Sequence, residues 1–170
     1  GLSPHFRREP SFQNALVQNI GGGNTMVFNR AARALLVEAG MVDVVCHDWW
    51  TYLLVSGAGG ELVYDPEPSL SYRQHGDNEI GANISWSDRI QRYGGALWGR
   101  NRDWTDRNLA ALVQNRHLLT PGNREILDLF GSAREGGLLQ RLRGLRKAGL
   151  YAQTLSGNMG LYVATLLKKI

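Results

Sequence analysis

His47-Asp48-Trp49-Trp50-Thr51-Tyr52-Leu53-Leu54-Val55-Ser56-Gly57 is the stretch that orders the rest of the chain. Trp49, Leu53 and Ser56-Gly57 share a helical spacing, as do Trp50 and Leu54. The spacing predicts a helix that opens at His47-Asp48 and stops across Gly57–Gly60. Asp48 then falls in the first turn, where the helix dipole stabilises a carboxylate. A Trp-Trp pair requires burial or a flat ligand. An Asp beside it requires water, a partner or a chemical task.

Outward from this stretch, Gly21-Gly22-Gly23-Asn24-Thr25 reads as a glycine-rich turn. Thr25-Met26-Val27-Phe28 is β-rich and predicts a short strand. Asn29 stands where an N-cap belongs and Gly40 where a helix closes, which predicts a helix of about ten residues between them. Glu61-Leu62-Val63-Tyr64 reads as a second strand, broken by Asp65-Pro66-Glu67-Pro68. Ser69–Arg73 is a further extended piece leading to His75.

Beyond Ile84 the pattern is helical. Trp86, Ile90, Tyr93, Leu97 and Trp98 recur at helical spacing, and so do Leu109, Leu112 and Val113. Thr120-Pro121 opens another helix carrying Ile126, Leu127 and Phe130. Leu138 to Lys147 places leucines on one face and cations on another, with Gly144 and Gly149 weakening it. The expected architecture is therefore α/β over residues 1–85, with few short strands, followed by a helical extension over 86–170. Three short strands cannot cover two helical faces, so partner strands are expected outside this chain.

The bulk numbers narrow the class. At 170 residues with 43% hydrophobic and 20% charged residues, one globular domain with a real core is expected. The single cysteine, Cys46, excludes an intrachain disulfide and a Cys-rich metal site, and suits a reducing, cytoplasmic compartment. No apolar run approaches the ~20 residues that span a bilayer. Residues 1–90 carry 6 Lys/Arg against 10 Asp/Glu; residues 91–170 carry 13 against 5. The basic half suits phosphates or an anionic membrane surface, or is a solvated basic face. Nucleic acid is not expected, because the cations show no recognised motif or aromatic interleaving.

Asp48 has two readings: a helix cap, or a general base within reach of a hydroxyl. His75, at a strand end before Gly76, has two as well: a hydrogen-bonded surface histidine or a metal ligand. The glycine run lets backbone approach a ligand closely. It is neither a phosphate-binding Walker loop nor a dinucleotide fingerprint.

Taken in order, Gly21–Arg30, His47–Trp50 and Tyr72–Gly81 resemble the second half of family 2 glycosyltransferases, most closely their rhamnosyltransferase-like branch in bacterial polysaccharide synthesis. The resemblance covers roughly residues 15–85. It implies the C-terminal part of a GT-A fold, a nucleotide-sugar donor, a divalent metal (Mg2+ or Mn2+), and inverting transfer to a saccharide or lipid-linked acceptor. It implies that Asp48 is the general base and that His75 helps hold the metal and diphosphate. Gly22, Gly23, Asn24 and Thr25 match the loop beside donor and acceptor. His47, Trp49 and Trp50 flank the base at the sugar, and Arg73 reaches a phosphate. The family's nucleotide-binding half with its Asp-x-Asp motif has no counterpart in residues 1–20. The chain is thus expected to be an acceptor-side part, inactive alone, working in the cytoplasm at the inner face of the cell membrane. The other reading is a non-catalytic module whose basic helix 138–147 docks on a partner or a membrane surface.

Overall fold

The computed structural model describes residues 5–67 and 100–170. The helix predicted from His47 is present and central. Helix α1 spans Phe12–Ala15, α2 Arg30–Ala39 and α3 His47–Gly57. Helix α4 spans Arg100–Gln114 and leads through a 3-10 turn at Arg116–Leu118 into α5, Pro121–Glu135. Helices α6, Leu138–Lys147, and α7, Leu155–Leu166, complete the described residues.

Helix α3 is buried on every side from Trp49 to Gly57, as its near-continuous apolar sequence requires. Helices α1, α2 and α4 pack on it; α5 packs on α6, and α6 on α7. A single core joins the two groups: Trp50, Tyr52 and Leu53 of α3 meet Leu112, Leu127 and Phe130.

Local chemistry sets the helix ends. Asn29 caps α2, its side-chain oxygen accepting from Ala32 N at 2.9 Å. Thr120 caps α5 through Asn123 N at 3.2 Å, with Pro121 in the first turn. Helix α3 stops in a Schellman motif: Gly60 N donates to Val55 O, Gly59 N donates to Ser56 O, and Gly59 sits at φ 81°. The freed carbonyls are not left bare. Thr120 N donates to Gly57 O at 3.0 Å, and the Asn123 amide donates to both Ser56 O and Gly57 O. The start of α5 thereby closes the end of α3.

The α/β expectation is corrected: the described residues contain helices and no strand, so they do not form the strand-bearing part of a GT-A fold. Neither Thr25–Phe28 nor Glu61–Tyr64 forms a strand; both run as irregular chain. Val27 is 94% exposed and Val63 86%. A β-branched run becomes a strand only when a neighbour fills its backbone hydrogen bonds and covers one face. The Ser69–Arg73 piece, the 85/86 boundary and the Trp86–Trp98 periodicity lie outside the described residues.

Gly144, read as a weak point in α6, is instead a contact point. A side chain there would collide with the Cβ of Ala133 on α5. Gly149 ends α6 at φ 68°.

The seam at the end of α3 is testable. A Cβ on Gly57 would stand 2.6 Å from Leu119 Cδ2 and 3.1 Å from Phe12 Cε2, both on buried side chains. Gly57→Ala should destabilise by about 1–3 kcal/mol through overpacking. Gly122→Ala, in α5 with nothing within 4 Å, should stabilise by about 0.5–1 kcal/mol. Equal denaturation midpoints for the two variants would refute the packing argument.

Candidate functional site

The glycine run and the start of α3 meet. Thr25 N donates to Gly22 O at 2.9 Å and closes a turn, which the Thr25 hydroxyl reinforces on the same oxygen. Gly23 N in that turn donates to Asp48 Oδ2 at 3.1 Å. The His47 ring occupies the space that a side chain on Gly23 would need. Glycine is therefore required here by close approach. Gly21 lies against Met26 and near the Asp48 backbone.

Asp48 is half-buried and His47 exposed. The second carboxylate oxygen, Oδ1, accepts from Trp49 N at 2.7 Å. Asp48 therefore acts in the first turn and across to the glycine turn at once. An ionised carboxylate offers about four lone-pair positions, so these two bonds, with a third from the Cys46 thiol, still leave acceptor capacity at an accessible edge. Asn24 and Thr25 are exposed beside it.

Both tryptophans have packing roles. Trp49 is 9% exposed; its indole N–H donates to Ala15 O at 2.7 Å, and its ring meets Trp104 edge-on at 6.4 Å. Trp50 is 4% exposed within the core. Trp104, which the sequence did not single out, supports the start of α3 from α4. Arg73 and His75 lie outside the described residues, as does the whole Tyr72–Gly81 cluster. Two of the three stretches expected to share a site are thus seen together. Among the described residues no three of His, Cys, Asp and Glu gather in a way that could hold a metal ion. The divalent-metal expectation rests on His75, which lies outside the described residues.

Cys46, a half-buried free cysteine, precedes the site. Burial, then a hydrogen bond to Asp48, pushes its thiol up from an ordinary value of 9.0 to about 11. It is a poor nucleophile and a neutral neighbour of Asp48.

Compared with known proteins, the chain is 36% identical over 52 residues to the dTDP-rhamnosyl transferase RfbG of Shigella flexneri. The matched stretch is 31% of this chain and 18% of that protein. The chain thus shares a short segment with a glycosyltransferase and spans under a fifth of its length. No protein-family model matches, and no solved structure does.

The Cys46 environment gives a pH signature. The folded thiol holds its proton above the unfolded value, so its contribution to stability is complete below about pH 9 and is lost as pH rises through about 11. At pH 8, iodoacetamide should alkylate native Cys46 roughly 100-fold more slowly than the urea-unfolded chain. Equal rates would show that the thiol is neither buried nor bonded to Asp48.

Proposed function

We propose that this chain is the acceptor-side part of a glycosyltransferase that moves a sugar, rhamnose by its partial relative's name, from a nucleotide-sugar donor to a saccharide or lipid-linked acceptor. The observation that carries the reading is the contact between Gly23 N and Asp48 Oδ2 at the exposed start of α3. It brings a carboxylate and a closely approaching glycine backbone to one edge, in a chain with a segment similar to a rhamnosyl transferase.

In the proposed step, an acceptor hydroxyl donates to a free lone pair of Asp48. Its oxygen attacks the anomeric carbon as the carboxylate takes the proton. The bond from that carbon to the nucleoside diphosphate breaks, and the diphosphate leaves with the electron pair. Attack opposite the leaving group inverts the anomeric centre. The Gly23 and Trp49 amides hold the carboxylate still, so little orientation is lost in reaching the reactive arrangement. The exposed Asn24 and Thr25 side chains offer hydrogen bonds to the incoming sugar. The neutral Cys46 thiol adds no competing charge.

Asp48→Asn separates the base from the contact with the glycine turn. An Asn carbonyl can still accept from Gly23 N, so the turn should persist. In the full-length protein that carries this chain, kcat should fall by about 10²–10⁴-fold, with donor affinity within about twofold of wild type. Wild-type turnover with this substitution would eliminate Asp48 as the base.

A further inference from the structure

Helix α7 turns its apolar side outward. Leu155, Met159, Tyr162, Val163 and Leu166 recur at i, i+4, i+7, i+8 and i+11, which is one face of a helix. That face is exposed: 80%, 64%, 48%, 46% and 50% in the same order. The opposite face looks inward through Thr165, which is fully buried, and through Leu161 and Ala164 against the core.

Along the sequence from α6 onward the charge has one sign, and Asp106 of α4, near the end of α7, is taken up by Arg102 and Arg134. No Asp or Glu follows Glu135, while Arg141, Arg143, Arg146, Lys147, Lys168 and Lys169 all do. Arg141 is buried and donates to Gly136 O and Leu166 O, so it serves the fold. Its contact with Leu166 sets the first turn of α6 beside the last turn of α7. Leu138 and Leu139, at the start of α6, are exposed as well. The short connection 148–154 brings Arg146 and Lys147 toward the start of α7, and Lys168 and Lys169 follow its end. The face expected on α6 itself is not available, because Leu145 and Arg141 point inward.

We propose that the α6–α7 surface docks on an anionic lipid bilayer, with α7 lying in the plane of the interface. The apolar stripe would enter the boundary between headgroups and acyl chains, with Tyr162 at headgroup depth. The cations at both ends would meet lipid phosphates. No described helix is long and apolar enough to cross a membrane, so the mode is surface binding. A second copy is disfavoured on charge: a two-fold contact would bring the same cations together. This inference is independent of the glycosyl-transfer reading.

Vesicle co-sedimentation of the 170-residue chain tests it. Binding to phosphatidylcholine vesicles containing phosphatidylglycerol should exceed binding to phosphatidylcholine alone by at least about tenfold and fall with added salt. Lys168→Glu with Lys169→Glu should weaken it by about fivefold for each cation lost. Met159→Gln with Val163→Gln should weaken it by about tenfold or more, with unchanged circular dichroism and melting temperature because both positions are exposed. Equal binding to neutral and anionic vesicles would overturn the proposal, as would wild-type binding by the Gln pair. So would a lipid-free dimer in sedimentation velocity that the Gln pair dissolves, with no vesicle binding by the wild type.

Discussion

The side-chain amide of Asn14, fully shielded from solvent, ties three distant parts of the chain together. Its Nδ2 donates to Tyr151 O at 2.9 Å and to Gln18 Oε1 at 3.3 Å. Its Oδ1 accepts from the Tyr52 hydroxyl at 2.9 Å and from Gln153 Nε2 at 3.3 Å. Gln153 also exchanges two hydrogen bonds with the Arg8 backbone, and Tyr151 joins Ser11 and Glu9. A buried amide is tolerable only when its donors and acceptors are met, and here they are. Burial raises the Tyr52 hydroxyl pKa, keeping it a neutral donor in this network. The consequence is positional. Tyr52 belongs to α3, so the network fixes that helix against α1 and against the segment before α7.

From that anchor the site follows. With α3 held, Trp49 reaches Ala15 O, and the start of the helix stands at the surface with Asp48 beside the glycine turn. The ion pair of Arg107 with Asp43 at 2.6 Å, with a second bond to Val44 O, steadies the segment that enters α3 from the side of α4. The carboxylate is therefore positioned by backbone amides near it and by a polar core far from it.

The helices were readable because their signals are local. Asn29 and Gly40 bracket α2, Thr120-Pro121 opens α5, and the Trp-Trp helix has the spacing of its buried faces. Thr25–Phe28 and Glu61–Tyr64 misled for the opposite reason. Strand formation depends on a partner, and composition alone does not supply one. The meeting of the glycine turn with Asp48 was legible as an expectation of proximity. Its form, an amide on one oxygen with a histidine ring against Gly23, was not. The Asn14 network left no trace in the sequence, since Asn, Gln and Tyr scattered along a chain look like surface residues. The stripe on α7 has an evident period, but periodicity alone cannot say whether an apolar face meets core or solvent.

The Arg8–Gln153 and Asn14–Tyr151 bonds span 145 and 137 positions of sequence. During synthesis, the partners of Asn14 beyond position 150 do not yet exist when α3 emerges. Until they do, its amide and the Tyr52 hydroxyl must stay hydrated, which works against early burial of α3. Closing so long a loop is slow and is rewarded only at the end. The polar network that anchors the central helix can therefore close only once residues 151–153 have been made, after its packing on α1 and α2 is already possible.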